Sequence, residues 1–201
     1  MPAQQTLLGR EPLSYDDRFS KVEHVALSRG AWVEYAPGWV SGHSILFDAL
    51  EGGMAWRTVE ETLYDKTVVA PRLVATLGED GRGHPILESM RPALSIRYGT
   101  AFERISFALY RDGKDSVAWH GDRVARRMDT TVVATVSIGA PRRFLLRPRG
   151  GGPSMRFDLG WGDLFVMGGS SQRTWEHSVP KVAHANPRVS IMFRPHWHER
   201  G

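Results

Sequence analysis

Between residues 105 and 195 the chain offers eight short apolar-rich runs in close succession. They are ISFALYR (105–111), SVAWHGD (116–122), TVVATVSIG (131–139), RRFLLRPR (142–149), SMRFDLG (154–160), DLFVMGG (163–169), WEHSVPK (175–181) and PRVSIMFRP (187–195). Turn-forming stretches part them at RDGKD, GAP, RGGGP and GWGD, where glycine, proline and aspartate supply the backbone conformations that reverse a chain. Strands this short and this closely spaced predict a jelly-roll or cupin-like barrel. The glycine-rich RPRGGGPSMRF is not a phosphate-cradling loop, because it lacks a G-K-[ST] ending and a following helix. It reads as a hairpin loop between two barrel strands.

The first hundred residues have a different texture. Residues 1–20 are polar and expected to be partly irregular. In GHSILFDALEGGMAWRTVEETLYD (42–65), Ile45, Leu46, Leu50 and Met54 recur near the helical period, with Ser44 as N-cap and Gly52-Gly53 as stop. PRLVATLG (71–78) reads as a strand and EDGRGHP (79–85) as a loop. PILESMRPALSIRYG (85–99) reads as a helix that Pro92 must break or kink, since proline has no N–H to donate. The expected architecture is mainly β with an α/β N-terminal extension. It is a single domain over 1–201, with the extension in 1–100 and the jelly-roll core in 104–197.

Composition then narrows the function classes. With no cysteine, disulfides and thiolate metal sites are excluded. No apolar run approaches the ~20 residues of a membrane span, and the opening MPAQQTLLGREPLSYDDRF has no signal-peptide pattern. The expectation is a cytoplasmic protein with no membrane partner. The formal charge is +4, and 22 of the 26 basic residues are arginine, whose planar fork suits phosphate. That balance permits a nucleic-acid partner without establishing one; from composition alone, an arginine-rich genome is the better explanation.

The chemistry concentrates in SVAWHGDRV (116–124). Side chains alternate across a strand, so His120 and Asp122 share a face and can reach one cation. Alone, H-x-D is a common chance pair. His177, 57 residues on in WEHSVP, completes two histidines and one carboxylate, the facial set that holds a non-haem Fe(II) and leaves three positions open. A bidentate 2-oxo acid can fill two of them and dioxygen the third. RVSIMFR (188–194) places Arg188 and Arg194 on one strand face, with Ser190 and Met192 between them. Arginine is the expected partner of a co-substrate carboxylate. Ile191 and Phe193 point to the opposite, apolar side.

This series of H-x-D, a distant H, then R-x-S-x-x-x-R resembles the AlkB family of Fe(II)/2-oxoglutarate dioxygenases, which oxidatively dealkylate nucleic-acid bases. The similarity extends through APRLVATLGEDG (70–81), LYRDGKDSVAWHGD (109–122), GDLFVMGGSSQRTWEHSVPK (162–181) and NPRVSIMFR (186–194), in the family's order. The resemblance implies a double-stranded β-helix whose N-terminal extension holds the base. It implies His120, Asp122 and His177 as ligands of Fe(II), with 2-oxoglutarate and O2 as co-substrates. It assigns Arg188 to the distal carboxylate of 2-oxoglutarate, and Arg194 to the neighbourhood of its keto-acid end and the substrate. Tyr110 matches a co-substrate hydrogen-bond donor, and Ser190 stands where many members have asparagine. The implied partner is nucleic acid, single-stranded or with a flipped base, and the expected state is a monomer.

The sequence departs from the family pattern at three places. Ala108 replaces an asparagine that contacts 2-oxoglutarate, a loss of about 1.5–3 kcal/mol unless water substitutes. Arg123 follows the metal aspartate where dealkylases of cationic bases usually carry an acid. It therefore either tunes the site toward a neutral base, grips a phosphate, or points to solvent. Thr76 and Leu77 stand where related enzymes have stacking aromatics, for which Trp56, Tyr64 or Trp119 could substitute. Arg123, Trp119 and Arg72 are the candidate substrate residues, and RVARR (123–127) with RRFLLRPR is a candidate basic rim. Two other functions remain open: the same chemistry on a protein or small molecule, and a non-catalytic nucleic-acid-binding module.

Overall fold

A computed structural model describes residues 11–63, 66–122 and 128–195. In chain order the elements are β1 (Ser14–Tyr15), β2 (Glu23–Ala26), β3 (Ala31–Ala36), β4 (Val40–Ser41), α1 (His43–Gly53), β5 (Arg57–Leu63) and β6 (Lys66–Thr76). Then come α2 (Ile86–Tyr98), β7 (Phe102–Tyr110), β8 (Val117–His120), β9 (Val133–Gly139) and β10 (Arg142–Pro148). The last are β11 (Met155–Leu159), β12 (Asp163–Gly169), the short α3 (Ser171–Thr174), β13 (Trp175–Val179) and β14 (Arg188–Pro195). Each of the eight runs read from the sequence is a strand, β7 to β14. Two sheets face each other: an eight-stranded one in the order β2-β3-β12-β9-β14-β7-β6-β5 and a four-stranded one in the order β11-β10-β13-β8. All their pairings are antiparallel, so this is a jelly-roll. The RGGGP stretch joins β10 to β11 as a hairpin.

The larger sheet is apolar on both faces, and strand alternation sorts the two sets. One face takes Phe107, Leu109, Val136, Ile138, Val189, Ile191 and Phe193 to the helices, where Leu46, Leu50, Leu87, Met90 and Leu94 close the layer. The other face packs Ala108, Tyr110, Phe165 and Met167 against Phe144, Leu146 and Trp175 of the smaller sheet. The helices therefore seal one side completely. The inner cavity between the sheets is left to receive polar groups at chosen positions.

The N-terminal region is more β-rich than its sequence pattern predicts. β2 and β3 extend one end of the larger sheet, β5 and β6 the other, and β1 pairs with β4 within a segment expected to be irregular. β3 and β6 are anchored by the distant β12 and β7, and β2 and β5 add to them as edge hairpins; of these, the sequence pattern marks only the 71–78 part of β6 as a strand. Helix α1 ends at Gly53 as expected, but its N-cap is Gly42, not Ser44. Gly42 has φ of 62°, and a Cβ there would meet the Glu11 carbonyl oxygen, so a serine cap is sterically excluded at that position.

Helix α2 runs through Pro92 without a break to a left-handed Gly99. Leu87, Met90 and Leu94 are fully buried, while Pro92 is exposed. Burial of three large side chains outweighs the one hydrogen bond that proline deletes. Pro92→Ala is therefore expected to stabilise the protein by about 1–2 kcal/mol, raising Tm by about 2–8 °C. An unchanged or lowered Tm would mean that the ring's own contacts matter more than the missing N–H.

Candidate active site

β8 and β13 are neighbours in the smaller sheet, and His120 pairs directly with His177 across them. Their rings lie 4.2 Å apart, with His177 stacked on Phe144. β8 ends at His120, and the chain turns through Gly121 to bring Asp122 back onto the same side. Asp122 Oδ1 is then 4.0 Å from Nε2 of His120 and 4.0 Å from Nε2 of His177. The candidate ligating atoms all lie within 4.8 Å of one another, a spacing one ion can bridge. His120 Nδ1 donates to the Ala118 carbonyl at 2.8 Å, which leaves its Nε2 lone pair facing the other two residues.

Electrostatics bear on the protonation of His177 and Asp122. Burial, reinforced by His120 and opposed by Asp122, drives His177 down to about 3, so its ring is neutral. Burial alone would raise the Asp122 carboxyl. Arg194 and the two histidines outweigh it and hold the acid well below the usual carboxylate range. Arg194 Nε donates to Asp122 Oδ2 at 2.7 Å, its Nη1 to Ser106 Oγ at 2.6 Å and its Nη2 to Met192 Sδ at 3.2 Å. One carboxylate oxygen is thus engaged and the other is turned toward the histidines.

The deeper end of the cavity is cationic. Arg188 is 1% exposed. Its Nη2 donates to Ser137 Oγ at 2.6 Å, its Nε has no partner, and burial lowers its pKa. Among the described residues, no carboxylate lies within ion-pair distance of it. Tyr110 lies beside it, the Arg188 guanidinium carbon 5.3 Å from the ring centre, and Arg142 approaches the same ring at 5.5 Å. Ser190 shares the inner face of β14, opposite Ser137 and Ala108. A buried cation without a counter-ion is costly. Such a group, with an orphaned N–H beside a tyrosine, fits an incoming carboxylate.

The structure thus brings His120, Asp122, His177 and Arg194 together at one end of the space between the sheets, and Tyr110, Arg188 and Ser190 at the other. It also separates the two arginines' surroundings: Arg188 faces the cavity's deep end, whereas Arg194 is committed to Asp122. Arg72 lies on the inner side of β6, and its Nη1 donates to the Ser116 carbonyl at 3.4 Å. Trp119 is not brought to the histidines. It points to the outer face of the smaller sheet, where the Arg147 guanidinium covers it at 3.9 Å and in turn pairs with Glu176. The alternation that sends His120 inward sends Trp119 outward. Trp56 packs edge-on against Phe107 in the helical layer and donates to the Glu51 carbonyl. Arg123, the rest of 123–127 and Tyr64 lie outside the described residues.

Two polar residues of this region have parts the sequence reading does not give them: Arg142 falls in the candidate basic rim RRFLLRPR but is buried, and Gln172 is not singled out. Arg142, 2% exposed, donates to the carbonyls of Asp112, Asp115 and Pro180, knitting the loop before β8 to the end of β13. Its position beside Phe144 and Leu146 on an apolar strand face is a signal that could have found it. Gln172, 1% exposed, accepts the Asp122 backbone N–H at 2.9 Å. No periodicity marks it.

Few proteins can use both ends of such a cavity at once. A non-haem iron oxygenase that takes a 2-oxo dicarboxylate needs three donors on one face and a buried cation within reach. Residues 84–194 match the family model of the 2OG-Fe(II) oxygenase superfamily. The chain is 30% identical over 171 residues to "Alpha-ketoglutarate-dependent dioxygenase alkB homolog 3" of Bos taurus, covering 74% of this chain and 60% of that protein. It is 27% identical over 193 residues to "DNA oxidative demethylase ALKBH2" of Homo sapiens, covering 79% of this chain and 74% of that one. The chain belongs to the 2OG-Fe(II) oxygenase superfamily, and the curated relatives it resembles are AlkB homologues. Membership implies Fe(II), 2-oxoglutarate and O2.

The chain spans about 60% or less of the length of its alkB homolog 3 relatives. Among solved structures, OsALKBH1 superposes with a TM-score of 0.61 at 14% identity, over 87% of this chain and 100% of that one. A prolyl hydroxylase from Trichoplax adhaerens gives 0.59 at 14% identity, over 83% of each chain. At such identities the likeness is one of fold. No helix among the described residues is long and apolar enough to cross a membrane.

Gly121 is where the metal-facing turn has least room. A Cβ there would lie 2.4 Å from the Gln172 carbonyl oxygen and 2.6 Å from Arg149 Nη2. The arginine can move; the backbone cannot. Gly121→Ala is expected to displace Asp122 and weaken divalent-metal binding by about 10–100-fold, measured by Mn(II) titration. Unchanged affinity would show that the turn has slack.

Proposed function

We propose that this protein is a 2-oxoglutarate-dependent dioxygenase that oxidatively removes alkyl groups from base nitrogens in DNA or RNA. The carrying observation is the pairing of a carboxylate oxygen facing two histidine Nε2 atoms with a buried, unpaired Arg188 in the space between the sheets. The names of the AlkB relatives support nucleic acid as the substrate class. In this reading residues 104–197 are the catalytic core and 1–100 hold the base.

His120 and His177 would each lend an Nε2 lone pair and Asp122 its Oδ1, leaving the cavity side of the ion open. Bound Fe(II), with 2-oxoglutarate and dioxygen, supplies the oxidation. Arg194 keeps Asp122 ionised and turned, so that one oxygen alone is offered. Arg188 would pair with the distal carboxylate of 2-oxoglutarate, with Tyr110 and Ser190 lining the same slot. Phe144 stacks on His177 and keeps bulk water from the inner side of the ligand. The alkyl carbon, once hydroxylated, leaves its base nitrogen as an aldehyde. The base reaches the cavity only from a single strand or by flipping.

The test is mass spectrometry of oligonucleotides carrying 1-methyladenine, 3-methylcytosine, 3-methylthymine or etheno-adenine, with Fe(II), 2-oxoglutarate and air. Loss of the alkyl mass, abolished in His120→Ala, is expected. Succinate formation with every oligonucleotide unchanged would move the substrate to a protein or metabolite. No succinate with any substrate would leave a binding module.

Arg188→Met separates the arginine's two effects. Removing an unpaired buried charge should leave the metal-free protein at least as stable, by about 0–3 kcal/mol, while 2-oxoglutarate affinity falls by at least about 100-fold. Thermal melts and isothermal titration read the two, and retained 2-oxoglutarate affinity would place the carboxylate elsewhere.

A further inference from the structure

Asp122 stands just beyond the end of a strand, and that position creates a hydrogen-bonding problem. The β8–β13 ladder ends at the His120–His177 pair, so the Asp122 N–H has no strand partner, although its side chain is only 9% exposed. The partner is a side chain fifty residues on: Gln172 Oε1 accepts that N–H at 2.9 Å. The amide is orientated by its other end, since Gln172 Nε2 donates to Met167 Sδ at 3.4 Å. Gln172 is itself 1% exposed, with no water-facing alternative.

The backbone of Gln172 contributes as well. Its carbonyl oxygen packs on Gly121, the central residue of the turn, and accepts from Arg149 Nη2 at 3.4 Å. The short α3 that carries it is tied down at both ends. Ser170 Oγ donates to the Arg29 carbonyl at 2.6 Å, Thr174 Oγ1 donates to the Ser170 carbonyl at 3.0 Å, and Thr174's own carbonyl accepts the Arg149 N–H at 2.9 Å. From α3 the chain enters β13 directly, and His177 follows three residues after Thr174.

We infer that Gln172 is a positioning residue of the metal centre, a strut that fixes the Asp122 turn against the strand bearing His177. It replaces the missing rung of the ladder with a side-chain amide and so holds two ligands of different segments at one separation. It touches neither metal nor co-substrate and acts through the Asp122 backbone. This rests on the reading of His120, Asp122 and His177 as metal ligands. That reading is tested apart from the strut: Asp122→Ala removes a ligand whatever Gln172 does.

The experiment is Mn(II) titration of the full chain, followed by the EPR signal of free Mn(II), alongside metal-free thermal melts. Gln172→Met keeps the volume and removes the acceptor; Gln172→Glu keeps an acceptor oxygen. Q172M is expected to bind Mn(II) about 10–100-fold more weakly with a metal-free Tm within a few degrees of the parent, while Q172E stays within about threefold of the parent or binds more tightly. Affinity within about threefold of the parent in Q172M overturns the inference, as does an equal loss in Q172M and Q172E. Should Q172M not fold, Gln172→Asn carries the same test, with the amide withdrawn by one methylene and the same threshold. Loss of Mn(II) binding in Q172M with full retention in Asp122→Ala would instead refute the ligand assignment.

Discussion

The ion pair between Arg194 and Asp122 decides what the rest of the cavity can be. It takes one carboxylate oxygen at 2.7 Å, leaves the other 4.0 Å from both histidine nitrogens, and keeps a deeply buried acid ionised. Without the cation, burial would favour the protonated acid, and the third donor would be lost. The pair also links β14 of the larger sheet to the turn that follows β8 of the smaller one. The strand holding the Asp122 carboxylate in place is therefore the strand carrying Arg188. The two ends of the cavity cannot shift independently, because six residues of one rigid strand, about 20 Å, connect them.

A second constraint makes that arrangement affordable. The larger sheet turns Val189, Ile191 and Phe193 to the helices and Arg188, Ser190, Met192 and Arg194 to the cavity. Complete burial of the first set holds the strand in place while polar groups are presented on its other face at a desolvation cost. The helices of the N-terminal region are thus part of the site's support, although none of their side chains enters the cavity.

How much of this was legible follows from what each signal measures. The runs that became β7 to β14 are flanked by glycine and proline turns and carry their own alternation, so they could be read one at a time. His120 and Asp122, a common pair by themselves, stood out only once the distant His177 completed two histidines and a carboxylate and Arg188 and Arg194 followed it. β3 was missed because its second partner, β12, lies far off in sequence, while β2 and β5 are edge strands whose single hairpin partners, β3 and β6, are themselves anchored by distant strands. Trp119 was put forward as a substitute for the missing base-stacking aromatics, though the same period of two that turns His120 inward turns it outward, onto Arg147. Pro92 was given too much weight because a local rule was applied where three fully buried side chains decide. Gln172 was not findable at all, since its meaning depends on where a ladder stops.

The cost of the deep end indicates how the protein divides its stability. Arg188 and Arg142 each bury a guanidinium with an orphaned Nε on either side of Tyr110. Arg142 meets three main-chain carbonyls, so its charge is solvated by the backbone and serves to fasten a loop. Arg188 meets the hydroxyls of Ser137 and Tyr110 but no carboxylate within ion-pair distance among the described residues, so its charge has no counter-ion there. A fold selected for stability alone would place methionine or leucine there. Retaining a cation makes sense where an anion restores what burial removed, and a ligand that binds only the folded state then returns that free energy as stability. The unpaired arginine is in this sense half of an interaction whose other half comes from solution. The metal end needs no such completion to keep its shape, because Arg194 and Gln172 already supply it from within the chain.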